Sequence, residues 1–239
     1  MKQITILIAI AVFTSSCGTS RHANNTPYSE SLNNDTLITQ SLFNDKAATI
    51  SEESIQKILE GNFKLPEQLR VAIVKLENTQ LKKYYWNYWS DEEYLKAHQS
   101  YLDLFSEKLK QSLRVIKLSI IPDLLISKIP SFTNIREAAV RMQADIVVVY
   151  SITGDIYSKY KFFTKPDIKA FATTQLIILD VRTGLVPFST IITKDFLSQK
   201  KKEEIDNAEA RNRIQHEAVL LTINEIGQKM TEYLKINKQ

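Results

Sequence analysis

Three strand-like segments follow one another in the second half of this 239-residue chain, and a long amphipathic helix comes after them. Each segment is rich in β-branched or other apolar residues, and turn-forming residues join each to the next, which predicts an antiparallel meander. Apolar residues from Ala210 to Leu234 recur at helical spacing and predict one helix over about 206–234. A sheet buries its apolar face against another element, so we expect this helix to cover it. The predicted strands are 145–152, 168–181 and 185–196.

The first half of the chain alternates predicted helices with two short strands. Ser51 followed by two glutamates is a helix start that should run to Gly61. Ser90 and Glu93 form a capping box for a second helix that ends near Ser112. The predicted fold class is α+β (or α/β), as a single domain with a mostly antiparallel central sheet covered by helices and a long C-terminal helix. The other predicted elements are strands 69–76 and 115–120, a helical stretch 122–129 and a helix starting at Asn134.

The N-terminus has the layout of a secretory signal peptide that ends at a cysteine. Lys2 gives a positive start, 4–13 is an apolar run too short to span a bilayer, and the small residues 14–16 precede Cys17. This layout resembles the bacterial lipobox, with Thr where leucine is usual, and implies cleavage before Cys17 and lipid modification of its thiol. Two or more acyl chains would anchor the protein stably. The alternative is an ordinary signal peptide, or an uncleaved anchor, with an incidental cysteine.

The predicted organisation is a signal peptide (1–16), a lipidated N-terminus with a flexible tether (17–48) and a globular domain (49–239). The tether is rich in Ser, Asn, Thr and Asp, and if flexible it reaches about 30 Å. Gly18 stands where an aspartate would favour the inner membrane, so we expect an outer-membrane lipoprotein that faces the periplasm. Inner-membrane retention and cell-surface exposure are the alternatives.

An aromatic cluster is the most unusual local feature of the sequence. Five of the six residues from 84 to 89 are Tyr or Trp, which are enriched at binding hot spots, so we expect them to contact a protein partner. The alternatives are core packing beside the following helix, the commoner position of large aromatic side chains, and an interfacial position on lipid. The candidates are Tyr84, Tyr85, Trp86, Tyr88 and Trp89.

The sequence offers little to a catalytic, metal or nucleic-acid site. Its three histidines are scattered and Cys17 is its only cysteine, so we expect no zinc and no cofactor other than the covalent lipid on Cys17. The basic residues are dispersed, which argues against nucleic-acid binding. The chain has no phosphate loop or nucleophile elbow, and we expect no enzymatic activity. An envelope enzyme is the alternative, using strand-end acids that more often cap turns: Asp145, Asp155, Asp180 and Asp195.

Three segments carry a family resemblance: the strand 69–74, the helix-into-strand segment 138–152 with an Ala-Asp junction, and the hairpin 176–184 with the pattern Asp-Val-x-Thr-Gly. With the cysteine at the signal's end, they resemble the CsgG/LpoB-like lipoproteins, the family of the curli-secretion channel subunit and of an outer-membrane activator of a penicillin-binding protein. The resemblance implies an acylated Cys17 and a non-enzymatic role in the cell envelope.

The hairpin residues Asp180, Thr183 and Gly184 have a structural interpretation. The Asp and Thr side chains can satisfy backbone groups of the turn, and Gly184 can take a positive φ. This role needs no catalytic step.

The leading functional hypothesis is a non-enzymatic binding adaptor or regulator of a cell-envelope assembly, in cell-wall synthesis or secretion. Its expected partners are the lipid bilayer, through acylated Cys17, and an envelope protein. The alternative is a self-assembling ring or channel subunit of an outer-membrane secretion system, because residues 154–172 alternate as a membrane-inserted hairpin would. Lys159 and Lys161 would then face a lumen, whereas on an ordinary hairpin they face water, which is the commoner arrangement.

Overall fold

The computed structural model describes residues 50–76, 91–126, 130–159 and 167–236. These residues belong to one compact unit that spans Asp35–Gln239. The predicted signal peptide, the predicted tether with Cys17, the aromatic cluster and Ser90 of the predicted capping box lie outside the described residues.

The described elements confirm the α+β class, with a central sheet and a long C-terminal helix. Ser51 accepts a hydrogen bond from the Ser54 backbone N–H and caps the first helix. In chain order the elements are α1 (Glu52–Glu60), β1 (Leu69–Lys75), α2 (Asp91–Lys110), β2 (Val115–Ile120), a 3₁₀ turn (Asp123–Leu125), α3 (Phe132–Arg141), β3 (Ile146–Lys159), β4 (Asp167–Asp180), β5 (Phe188–Gln199) and α4 (Asn207–Ile236).

The sheet has five strands in the order β2-β1-β3-β4-β5. The predicted meander is confirmed, since β3 pairs antiparallel with β4, and β4 with β5. The other two strands add a feature that the sequence did not predict: β1 lies parallel to both β2 and β3. Parallel neighbours need crossover connections, and α2 and α3 supply them. The connection from β1 to β2 and the connection from β2 to β3 move in opposite directions along the sheet. Because both are right-handed, α2 and α3 lie on opposite faces.

Two apolar cores therefore form, one on each side of the sheet. The larger core packs α2 and α4 against one face, around Phe105, Tyr150 and Ile214. The smaller core packs α3 against the other face, around Ile135 and Val147.

The lengths of the helices determine how much of each face is covered. The 30 residues of α4 extend about 45 Å, which matches the roughly 46 Å of the 14-residue strands β3 and β4. The 10 residues of α3 extend only about 15 Å. The face opposite α4 is therefore covered near the start of β3 and open, within the described residues, over the rest of β3–β5.

Close packing of α4 on the sheet depends on one glycine and one pair of hydroxyls. An added Cβ at Gly154 would overlap the Gln215 side chain and the Phe171 carbonyl oxygen, so only glycine fits at this point of β3. The Gln215 amide donates to that carbonyl oxygen at 3.1 Å. Further along, the buried hydroxyls of Thr174 and Thr222 lie 2.5 Å apart and link β4 to α4.

The helical stretch predicted over 122–129 is wrong in its described part. Only a 3₁₀ turn forms at Asp123–Leu125, and Ile126 is already extended, with φ −110°. Leu124 and Leu125 are exposed, so a helix here would lack the apolar packing that stabilises short helices.

Candidate functional site

The sequence-predicted anchor and aromatic partner-binding residues, Cys17 and Tyr84–Trp89, lie outside the described residues. Among the helices that are described, none has both the length and the apolar composition needed to cross a membrane. Within the same ranges, no three side chains of His, Cys, Asp or Glu are grouped as metal ligands would be.

The turn between β4 and β5 is built around Asp180. Its carboxylate accepts hydrogen bonds from the Thr183 backbone N–H at 2.7 Å and from the Thr183 hydroxyl at 2.6 Å. The Thr183 hydroxyl oxygen in turn accepts from the Leu185 backbone N–H. Gly184 has φ 77°, a left-handed conformation that glycine adopts without steric cost. The two side chains thus satisfy backbone groups of the turn.

Asp145 joins the start of β3 to the start of β1. Its carboxylate is buried and accepts three hydrogen bonds from Arg70: from the backbone N–H at 2.9 Å, from Nε at 2.9 Å and from Nη2 at 2.7 Å. The Arg182 guanidinium lies 3.7 Å away. The hydrogen bonds from Arg70 lower the pKa of Asp145, although burial opposes this effect. A carboxylate held charged in this way is suited to fixing the sheet, not to exchanging protons.

The other two candidate acids lie on the open part of the sheet. Asp195 forms an ion pair with Lys169 at 2.8 Å, and the hydrogen bond from Lys169 lowers the pKa of Asp195. Asp155 accepts a hydrogen bond from the Ile156 backbone N–H at 2.8 Å. All four candidate acids are therefore engaged by nearby donors, and they are divided between one end of the sheet and its open face.

Two histidines lie where α2 meets its neighbours. His98 contacts the Lys75 ammonium and packs against the Tyr94 ring, with ring centroids 3.8 Å apart and the planes tilted by 44°. The Nδ1 of His216 lies 3.2 Å from the Tyr101 hydroxyl, and burial lowers the pKa of this histidine. These contacts pack α2 onto the end of β1 and onto α4.

The face of β3–β5 opposite α4, beyond the end of α3, is the most distinctive exposed surface of the described residues. We call it the open sheet face. Four large apolar side chains on it are exposed: Tyr157 56%, Phe171 37%, Ile191 65% and Leu197 62%. Polar rows separate them, and the Thr173 and Thr193 hydroxyls lie 2.9 Å apart within one such row.

Side chains near the hairpin end of this face are held in place by their neighbours. Tyr157 and Phe171 meet edge to face, with ring centroids 6.1 Å apart. The Lys169 ammonium lies 4.8 Å from the Phe171 ring centroid while it pairs with Asp195. A hydrogen bond to Asp155 raises the pKa of Tyr157, so its hydroxyl stays protonated at neutral pH.

The open sheet face is chemically suited to binding a protein. Exposed apolar and aromatic side chains, ordered in advance and bordered by charges, are typical of interaction surfaces. Sequence reasoning found the alternation around Tyr157 but missed Phe171, Ile191 and Leu197. The strand period was the only sequence pattern that marks these residues, and it does not reveal that α3, the helix covering this face, is short.

No protein-family model and no curated protein matches this chain. Several solved structures show weak similarity. The hypothetical protein CT253 from Chlamydia trachomatis is 15% identical, with TM-score 0.38, over 70% of this chain and 98% of that one. The minor lipoprotein from Acinetobacter baumannii is 11% identical, with TM-score 0.30, over 73% and 95%. Lipoprotein GNA1162 from Neisseria meningitidis is 12% identical, with TM-score 0.32, over 67% and 99%. Similarity this weak assigns no family, and the CsgG/LpoB-like resemblance stays a prediction.

Proposed function

We propose that the chain is a membrane-anchored lipoprotein of the bacterial envelope that binds a protein partner and has no catalytic activity. The open sheet face is the observation that carries this proposal. It presents apolar side chains to the surroundings, of which Tyr157 and Phe171 pack against each other, and the nearby acids are engaged in structural hydrogen bonds or ion pairs. The signal sequence ending at Cys17 supports the anchor, and the following glycine supports the outer membrane, with the domain facing the periplasm.

The packing of the β3–β4 hairpin supports an adaptor over a channel subunit. Ile168, Ala170 and Ala172 on one face of β4 are buried in the larger core under α4. A hairpin that enters a bilayer needs its apolar face for lipid. In this chain the apolar face of the described hairpin already packs within the domain, while Lys159 lies on the exposed face with Tyr157.

Site-specific photo-cross-linking in cells tests the partner. A photoreactive residue at Phe171 of the full-length chain should capture a discrete envelope protein. The same residue at Phe132, a phenylalanine on α3 that is more accessible (57% exposed against 37%), serves as the control and should not. Capture of no protein from position 171, or the same proteins from both positions, would remove the open sheet face as the binding site.

The anchor and the aromatic cluster are tested separately. Replacing Cys17 by serine should release the protein from the membrane fraction and abolish its labelling by radioactive palmitate. Replacing Trp86 and Trp89 by alanine should abolish partner capture while the circular dichroism spectrum stays unchanged. Unchanged capture would show that the aromatic cluster is not part of the binding surface.

A further inference from the structure

The outer edge of β5 is a long strand edge with no neighbouring strand in the described part of the chain. β5 has 12 residues and pairs with β4 in an uninterrupted register, from Asp167↔Gln199 to Ile178↔Phe188. Its outer side therefore presents an uninterrupted row of backbone N–H and C=O groups. Such an edge is a template for pairing with another strand.

Natural proteins usually protect such an edge with proline, a bulge or an outward charge. The proline of this region, Pro187, precedes β5 and does not interrupt it. The lysine at the centre of the strand, Lys194, lies on the α4 side and binds Glu225 at 2.5 Å, so its charge is directed away from the edge. On the opposite face, the exposed large apolar side chains are Ile191 and Leu197, and the exposed Asp195 between them is paired with Lys169 of β4.

We propose that β5 pairs antiparallel with β5 of a second copy, around a two-fold axis that passes through Lys194. In an antiparallel pair, opposite residues lie on the same face of the sheet. With Lys194 opposite Lys194, Ile191 of each copy lies opposite Leu197 of the other, twice by symmetry. The two most exposed apolar side chains of β5 are then buried against each other, as cross-strand pairs that stabilise a sheet.

Neighbouring registers lack this complementarity. Sliding one strand by two residues in one direction sets Ile191 opposite Asp195, and sliding it in the other direction sets Asp195 opposite Asp195. In the proposed register Asp195 lies opposite Thr193, and each Lys194 is neutralised by Glu225 of its own copy. Pairing around a two-fold axis closes the assembly at a dimer, because the same edge is used on both copies.

The dimer joins two five-stranded sheets into one continuous sheet. It uses the edge of β5 and buries two side chains of the open sheet face, Ile191 and Leu197, while Phe171 and Tyr157 on the same face stay accessible. Cross-linking from position 171 therefore tests the partner, and the molar mass tests the dimer, so failure of one proposal can be told from failure of the other.

Complementary charges provide the test. Ile191→Lys and Leu197→Glu are introduced separately into the full-length chain, and molar mass is measured by light scattering in mild detergent over a wide range of concentration. The wild type should be a dimer, and each variant should weaken dimerisation at least about tenfold, because a charge then faces an apolar side chain. Ile116→Lys, on the opposite sheet edge and 57% exposed, is the control and should dimerise as the wild type does.

An equal mixture of the two variants should dimerise again. One interface pair is then Lys with Glu and the other is Leu with Ile, so the mixed dimer has no charge opposite an apolar residue. A monomeric wild type, a mass larger than a dimer, a dimer insensitive to both variants, or a mixture that stays monomeric would each overturn the proposal. Hydrogen exchange of the β5 amides in the wild type, slowing as the protein concentration rises, gives a readout independent of the variants.

Discussion

Replacing Asp145 by alanine should destabilise the domain more than any replacement of the other three candidate acids. The Asp145 carboxylate accepts three hydrogen bonds from Arg70, one from the backbone and two from the side chain, and is buried where β1 meets β3. Without it, the Arg70 backbone N–H loses its acceptor in a buried region. The guanidinium also loses its counter-ion.

The magnitude follows from the kind of contact that is lost. Breaking a buried ion pair from one side costs about 3–5 kcal/mol. The Arg70 side chain is 35% exposed, so water replaces part of what the guanidinium loses. We therefore expect Asp145→Ala to lower the free energy of unfolding by roughly 2–3 kcal/mol. Asp145→Asn should cost less, because its amide oxygen can still accept from the backbone N–H.

Urea unfolding followed by circular dichroism measures the effect, with Asp195→Asn as the control. Asp195 forms an exposed pair with Lys169, and its loss should cause no measurable change.

Hydrogen bonds from Arg70 lower the pKa of Asp145 in the folded state. The stability that this carboxylate contributes is thus complete above the ordinary carboxyl pKa of about 4 and is lost as the pH falls through the lowered value. The difference in the free energy of unfolding between the wild type and Asp145→Asn should therefore shrink as the pH falls below about 4. A cost below about 1 kcal/mol for Asp145→Ala, or a gap that does not narrow in acid, would refute the reasoning.

Three further replacements test the packing of the domain. Gly154→Ala should destabilise it by about 1–3 kcal/mol in urea unfolding, since the new methyl group overlaps the backbone of β4; an unchanged midpoint would mean that the strands yield easily. Gln143, just after α3, is the non-glycine residue with a positive φ (59°) among those described. Glycine adopts this left-handed conformation without steric cost, so Gln143→Gly should raise the free energy of unfolding by about 1 kcal/mol and the melting temperature by a few degrees. Thr222→Val should cost about 1–2 kcal/mol, because it removes the acceptor of the buried Thr174 hydroxyl. The double variant Thr174→Val/Thr222→Val should lose less stability than the two single variants lose together, and strict additivity would contradict this coupling.

The C-terminal half of the fold could be predicted from the sequence because its contacts are local. β3, β4 and β5 follow one another through short connections, and the apolar period of α4 is unbroken, so strand period and helical period were sufficient. The turn residues Asp180 and Thr183 bond to atoms within a few positions of themselves, which is the range that sequence patterns report.

The parallel side of the sheet and the open face could not be predicted. The Arg70–Asp145 contact joins residues 75 positions apart, and nothing in either segment specifies the other. Ile191 and Ile192 are adjacent isoleucines of which one is 65% exposed and the other buried. The strand period predicts that the two residues lie on opposite faces of the sheet. Which of them is exposed depends on the short length of α3, which covers only part of one face. Exposure here is a property of the covering helix, which the strand sequence does not encode.

The parallel pairing of β1 with β3 also sets an order of events during folding. Closing the 75-residue loop between Arg70 and Asp145 costs about 4 kcal/mol of chain entropy, whereas only seven residues join β4 to β5. The meander and α4 can therefore assemble first, and β1 docks afterwards on the free edge of β3. Among the described strands, the one that leaves the ribosome first is thus expected to pair late, and until it does, the β-branched start of β3 has a free edge that another strand can pair with.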